Sequence, residues 1–456
     1  MTHLARPTKV CVIGAGSSGI AACQVLHARG ISFDCYETGS GVGGNWRYRN
    51  DNGMSAAYKS LHINTSRGLM AFKAFPMPAH LADYPSHAEI AEYFDAYVDH
   101  FGFREQIRFR TEVSDVHPGA GGGWDVTADG RTERYRAVMV ANGHHWDPRW
   151  PEPGFPGQDG FEGEQMHAHS YLEPDIFPGK RVLVLGIGNS ACDISVEASR
   201  IAERTFLSMR RGAWIVPKYL AGRPTDETSG PAFTRLPLGI QRALTTAILR
   251  VSQGGPTDYG LPKPDHRLLE AHPTVSSDLL PRLGHGDITV KPNIARFDGL
   301  DVVFEDDSRE HVDLVIYCTG YKITFPFFAD GLISAPDNKI PLYRRVVSPE
   351  HPGLFFIGLL QPLGAIMPLA EAQAEWVGDL LEGKVALPPA AAMREVIRRE
   401  DERMARRYVA SKRHTIQVDF HPYLRTLARE RRRRRANPVQ AMLAGRSHEL
   451  RVSRAQ

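Results

Sequence analysis

The stretch VCVIGAGSSGIAACQVLHARGISFDCYE, residues 10–37, decides the fold. Residues 10–13 form a short, continuous apolar run, which suits a strand buried on both faces of a parallel sheet. Gly14-Ala15-Gly16-Ser17-Ser18-Gly19 follows as a tight turn. Residues 20–28 read as a helix stopped by Gly30, and residues 33–37 as a second strand. In this strand–turn–helix–strand unit the first glycine makes the turn and the second lets the backbone approach a pyrophosphate. The third lets the helix pack close to the strand. The helix N-terminus adds N–H donors and the positive end of its dipole. Glu37 closes the second strand 18 residues after Gly19, where a carboxylate accepts hydrogen bonds from the hydroxyls of an adenosine ribose.

The same design recurs once. Apolar residues 181–185 lead into Gly186-Ile187-Gly188-Asn189-Ser190-Ala191, with alanine in the third place, then Cys192, Asp193 and a helix to residue 203. No acid closes the following strand, 205–209. Ser208, Arg210 and Arg211 stand there, and arginines at that place suit a 2′-phosphate, which they grip through charge-assisted hydrogen bonds. One site therefore reads a bare ribose and the other a phosphorylated one: FAD first, NADPH second. The expected class is α/β, with two Rossmann-like dinucleotide-binding domains. The FAD domain comes from both ends of the chain, 1–174 and 306–456. The NADPH domain is inserted at 175–305 with a partly helical insertion at 215–290. The Pro- and Gly-rich residues 148–160 mark the crossing.

Composition narrows the function classes. The chain has 456 residues, of which 42% are apolar and 23% charged, enough to bury a core without disulfide or metal staples. No run of 18 uncharged apolar residues suggests a membrane span, and the start lacks a leader-like apolar segment, so a cytoplasmic protein is expected. The five cysteines, at 11, 23, 35, 192 and 318, form no CxxC pair. That argues against a disulfide framework, a metal site or a redox-active dithiol. Residues 394–456 hold 18 Lys/Arg against 7 Asp/Glu, while the rest holds 37 against 45. This basic end is read as a solvated helical tail, dispensable from Arg429 onward, and no nucleic-acid or membrane partner is expected.

Further motifs carry a resemblance. Gly43-Gly44-Asn45-Trp46 follows the first acid. Phe161, Gly163, His167 and Tyr171 spell FxGxxxHxxxY just before the second glycine turn. Asn64-Thr65-Ser66, the Gly-Asn-Ser core of the second turn, Cys318-Thr319-Gly320-Tyr321, GLLQPLGAIMP (358–368) and RHTIQVD (413–419) complete the set. With these in order, the chain resembles the flavin-containing monooxygenases from about residue 10 to about residue 419. The resemblance implies that Asn45, Trp46, Asn64 and Thr65 join the first turn around FAD. It also implies that hydride from NADPH reduces the flavin, that oxygen adds to give a 4a-hydroperoxide, and that a small amine or sulfide takes the distal oxygen. Asn64 is the implied catalytic residue: its amide offers donor and acceptor without a titratable proton. His167 and the rest of its motif are read as scaffold.

Two rivals remain at this stage. Related Baeyer–Villiger enzymes carry Trp where this motif ends in Tyr171, which speaks against ketone-to-ester chemistry. A pyridine nucleotide–disulfide reductase needs a dithiol that the cysteine spacing does not supply. No counterpart of the hydrophobic C-terminal anchor of the animal members is expected. A homodimer is left open.

Overall fold

A computed structural model describes residues 8–228, 230, 233–408 and 415–433. Its centre is two parallel sheets built to one plan. In the first, β1 (Val10–Ile13) is followed by helix α1 (Ser17–Ala28) and then β2 (Phe33–Tyr36). The strand order is Leu354–Phe356, Ala137–Val140, β1, β2, Ile107–Arg108, all parallel. In the second, β3 (Arg181–Leu185), α2 (Asn189–Ile201) and β4 (Arg204–Ser208) repeat the unit. Its order is Thr289–Lys291, β4, β3, Leu314–Tyr317, Glu164–His167, again all parallel. Each sheet also carries a three-stranded antiparallel meander ahead of its fourth strand, at 113–135 and 294–311.

Side chains alternate between the faces of these strands, so each sheet feeds two cores. Val10 and Val12 pack with α1 and the helices His87–Phe101 and Met367–Leu381, whereas Cys11 and Ile13 pack under the meander. Val182 and Val184 face α2, and Leu183 and Leu185 face the second meander. The apolar runs lack an inside–outside alternation because both faces are covered. Ser86 and Glu89 form the capping box anticipated from their spacing, at the start of His87–Phe101.

The domain limits differ from those expected. Strands 164–167 and 314–317, which the sequence reading gave to the first domain, hydrogen-bond into the second sheet. The fifth strand of the second sheet precedes its glycine turn, and the fifth strand of the first follows the whole second unit. Nothing local in the sequence reports that exchange. The two crossing segments meet: Tyr321–Lys322 pairs antiparallel with Asp147–Pro148. Asn338 ties them further, accepting from Arg149 and from the Ile323 amide.

The expected dispensable tail begins inside the fold. Helix Phe420–Arg431 buries Glu430, which accepts from Tyr343 Oη and Arg344 Nε, and Arg431 pairs with Asp379 and Glu375. Deletion from Arg429 would strip these buried partners. Residues 434–456 and the motif residues 413 and 414 lie outside the described residues. Among the described residues, no helix is long and apolar enough to cross a membrane.

The third glycine is the tightest point of the first unit. A Cβ on Gly19 would sit 1.8 Å from the Gly14 carbonyl oxygen, whereas its counterpart Ala191 is accommodated, fully buried. Gly19→Ala is therefore expected to destabilise the fold by about 1–3 kcal/mol through overpacking. Ala191→Gly should cost nearer 1 kcal/mol, by loosening a helix. Urea titrations of the two variants test this, and equal midpoints would contradict it.

Candidate functional site

The two glycine turns have matching backbone geometry. Gly14 (φ +96°) lies where a Cβ would meet the Ala141 carbonyl oxygen at 2.7 Å. Gly186 (φ +134°) would meet that of Cys318 at 2.8 Å. Each turn is thus pressed against the residue that follows the fourth strand of its sheet, and only glycine fits. Behind Gly14, Ala15 is buried and Gly16 N-caps α1 without a side-chain cap. The Ile20 amide reaches the Gly16 carbonyl, which leaves the first-turn N–H groups of Ser17, Ser18 and Gly19 to be met from outside the helix. Gly188 caps α2 in the same way, with Cys192 N reaching its carbonyl, so Asn189, Ser190 and Ala191 present the second set. A phosphate-bearing ligand fits both cradles.

The residues expected around the first turn divide between ligand-facing and structural tasks. Glu37 is buried at the end of β2, with Oε2 accepting from Ala15 N and Oε1 from Gly39 N, both at 2.7 Å. Its carboxylate thereby locks the turn to the strand, and its remaining lone pairs can meet ribose hydroxyls. Gly44, at positive φ, lies against Gly16, where its Cβ would come 3.1 Å from the Gly16 Cα. Asn45 spends its side-chain oxygen on the Ala56 amide, at 2.8 Å, and Trp46 packs on the core of the first sheet. Thr65 is buried. Asn64 is half-buried, and its amide makes no hydrogen bond to the described residues. Its side-chain donors and acceptor are unspent among the described residues.

At the second turn, Asn189 Oδ1 accepts from Val275 N at 2.9 Å, while Cys192 is fully buried in the core. Ser208 is also buried, its hydroxyl bonded to the Pro292 carbonyl at 2.6 Å. Arg210 and Arg211 are exposed. Arg211 lies 3.5 Å from Asp265, and Arg210 has no ion-pair partner among the described residues. Arg210 is the freer cation.

Asp193 does something spacing did not reveal. It accepts a hydrogen bond from Tyr58 Oη, tying α2 to the first unit. Burial pushes its carboxyl up to about 6, against the Tyr58 hydrogen bond and the attraction of Lys218. Burial likewise raises Tyr58 and lowers Lys218. Tyr171 extends the junction: it stacks on Phe177 at 5.4 Å, lies 5.8 Å from the Tyr58 ring, and donates to Glu197. Phe161 packs on Phe297 at 5.0 Å and closes over Gly163. His167 is buried, and that burial holds its imidazole down at about 4. The FxGxxxHxxxY residues are packing residues, Phe161 and Gly163 within the second unit and Tyr171 where it meets Tyr58 of the first. Sequence reasoning missed Tyr58, Lys218 and Asp226, which sit far from the glycine motifs in sequence and obey no spacing rule.

Two glycine turns of one geometry, the first followed at the next strand end by a buried carboxylate and the second by exposed arginines, match the pattern of a two-nucleotide α/β protein. Residues 7–442 match the family model described as Flavin-binding monooxygenase-like. Flavin-containing monooxygenase 5 of Oryctolagus cuniculus is 39% identical over 430 residues, covering 90% of this chain and 80% of that protein. Dimethylaniline monooxygenase (N-oxide-forming) 2 of Rattus norvegicus is 34% identical over 443 residues, covering 92% and 82%. Among solved structures, S-allyl-L-cysteine S-oxygenase from Allium sativum superposes with a TM-score of 0.70 at 26% identity, over 98% of this chain and 94% of that one. Cyclohexanone monooxygenase from Rhodococcus bound to NADP+ shares the fold, with a TM-score of 0.70 at 19% identity over 92% and 97%. This chain belongs to the flavin-binding monooxygenase-like family. It is an NADPH-dependent flavin monooxygenase, and its cofactors are FAD and NADPH.

Two outcomes follow from the geometry. Arg210→Ala should lower the NADPH-to-NADH ratio of kcat/KM by about tenfold or more, and more than Arg211→Ala, because Arg211 already faces a carboxylate. An unchanged ratio in the double variant would remove both residues from the site. Asp193 titrates higher in the folded chain than in the unfolded one, so its contribution is full below about pH 4 and is lost as pH rises through about 6. Asp193→Asn keeps an acceptor for Tyr58 without the charge. Relative to wild type it should gain up to about 3 kcal/mol at pH 8 and nothing at pH 4. Thermal melts across that range read the difference.

Proposed function

We propose that this enzyme uses NADPH and oxygen to oxygenate soft nucleophiles, the nitrogen of small amines or the sulfur of small sulfides. The observation that carries the reading is the unspent amide of Asn64, in a segment stretched between the two cradles. At one end the Ala56 amide is held by Asn45, beside the first turn; nearer Asn64, Tyr58 is held by Asp193 on α2. In this reading the Asn64 side chain serves both nucleotides.

In this reading the first turn, with the amides of Ser17, Ser18 and Gly19, binds the FAD pyrophosphate, and Glu37 binds the adenosine ribose. The second turn, with Asn189, Ser190 and Ala191, binds NADPH, and Arg210 and Arg211 read its 2′-phosphate. Bound FAD supplies the oxygen-activating chemistry. The chain supplies a dry, oriented setting: Asn64 donates and accepts at the reacting face without introducing a titratable proton. N-oxidation and S-oxidation are what the names of the rat and garlic relatives describe, and a pocket serving either presents a lone pair to the same oxygen donor.

Purified protein assayed for NADPH and oxygen consumption against amines, sulfides and ketones tests the proposal. N-oxide or sulfoxide formation is expected, and turnover confined to ketones with ester products would contradict it. Asn64→Leu, close in volume, should still hold FAD and accept hydride from NADPH. Its product per NADPH should fall by roughly 5- to 150-fold, the equivalent of one hydrogen bond of about 1–3 kcal/mol, with hydrogen peroxide released instead. Wild-type coupling in that variant would make Asn64 a loop residue.

A further inference from the structure

In both units a long segment joins the second and third strands, residues 37–106 in the first and 209–288 in the second, and these two segments touch. In the first unit, residues 61–67 run beside 83–87. Ile63 N donates to Pro85 O at 3.0 Å, His87 N to Leu61 O at 2.8 Å, and Arg67 N to Asp83 O at 2.7 Å. Against them lies a hairpin of the second unit, Tyr219–Leu220 paired with Arg223–Pro224. Its turn residues Ala221 and Gly222 both have positive φ, as a two-residue turn matched to strand twist requires. Thr225 N donates to Lys218 O at 2.8 Å, so Lys218 and Asp226 stand together at the hairpin's open end. Lys218 Nζ donates to the Ile63 carbonyl at 3.2 Å, and Asp226 Oδ2 accepts from the Ser66 amide at 2.6 Å.

We propose that Lys218 and Asp226 are positioning residues that set the orientation of Asn64, by gripping the backbone on either side of Asn64-Thr65. The inference rests on the role given to Asn64 above. Both contacts are charge-assisted. The hairpin itself is braced: Tyr84 Oη donates to Lys218 O, Tyr219 Oη donates to Asp83 at 3.1 Å, and the two rings meet edge-on at 5.4 Å. The Lys218 ammonium lies 5.0 Å from the Tyr84 ring centre, and Asp193 and Asp278 are its carboxylate neighbours. Behind the hairpin, Ile215–Val216 pairs with Thr274–Val275. That strand holds the second glycine turn through Val275 N to Asn189 and Thr274 Oγ1 to the Ile187 carbonyl. The grip on Asn64 is therefore built on the NADPH cradle, so a residue of one unit is aligned by the other.

Hydrogen–deuterium exchange of the flavin-loaded protein, read on the peptide covering 61–67, tests the grip. Asp226→Ala should speed exchange there by about tenfold, with β1 and α1 unchanged. Product per NADPH should fall about tenfold in Asp226→Ala and in Lys218→Met, with flavin content and flavin reduction by NADPH retained, while Asp226→Asn and Lys218→Arg recover most of the loss. In an Asn64→Leu background the same changes should cost nothing further, because residues acting through one group are not additive. Lys218→Met carries the test alone should Asp226→Ala not purify folded. Wild-type exchange at 61–67 overturns the grip, and a full further loss of coupling in the Asn64→Leu background overturns its action through Asn64. Wild-type coupling in Asn64→Leu alone would instead strike the functional reading, with the exchange result still deciding the grip.

Discussion

The structure depends on one steric constraint used twice: a glycine with no side chain pressed against the carbonyl that ends the fourth strand of its sheet. Gly14 on Ala141 and Gly186 on Cys318 seat each turn against its sheet with no room for a Cβ between them. Everything that meets a nucleotide follows from that seating. The helix behind each turn presents its first amides at a set height, and the residue ending the next strand falls at a set distance from them. With the two turns alike, the units differ at those strand ends, where the proposed function places nucleotide selectivity. One carries a buried carboxylate bonded back to the turn, the other a buried serine followed by exposed arginines.

The duplication is not complete, and its departures make one enzyme from two units. The first sheet takes its fifth strand from beyond the second unit and the second takes its own from just ahead of its glycine turn, and the two crossing segments pair. Asp193 bonds to Tyr58, and the hairpin at 219–224 lies on the segment bearing Asn64. Two nucleotides that must exchange hydride need their cradles held in fixed relation, because misplacement by about 1 Å is felt strongly in the rate. Buried, hydrogen-bonded side chains across the seam supply that rigidity.

The cradles were legible in the sequence because phosphate binding by backbone amides demands glycine at fixed offsets, and fixed offsets survive as text. The places of Glu37 and Arg210 at the strand ends follow from the same offsets, each standing a set distance past its turn, and their roles toward a nucleotide belong to the proposed reading. Asn64 could be singled out only by its motif; as a lone residue in a loop it carries no signal. Lys218, Asp226 and Tyr58 were invisible: each acts across more than 130 residues on a partner no periodicity names. Cys192 and Ser208 were placed at the site by position, and the structure shows their side chains spent on core packing and a backbone carbonyl. The domain limits were misread because strand pairing, not composition, decides to which sheet residues 164–167 and 314–317 belong. The basic end deceived for a related reason: charge alone did not reveal that Glu430 and Arg431 are spent on interior partners.

The central claim is that hydride from one cradle is used, at the other, to place an oxygen atom on a soft nucleophile. Turnover of a small sulfide under isotopically labelled oxygen gas tests it most directly, with the sulfoxide analysed by mass and NADPH consumption followed in parallel. The account predicts one labelled oxygen atom per product molecule and close to one product per NADPH. Sulfoxide carrying only unlabelled oxygen from water, or NADPH oxidation that yields hydrogen peroxide with no labelled product from any amine or sulfide, would contradict it.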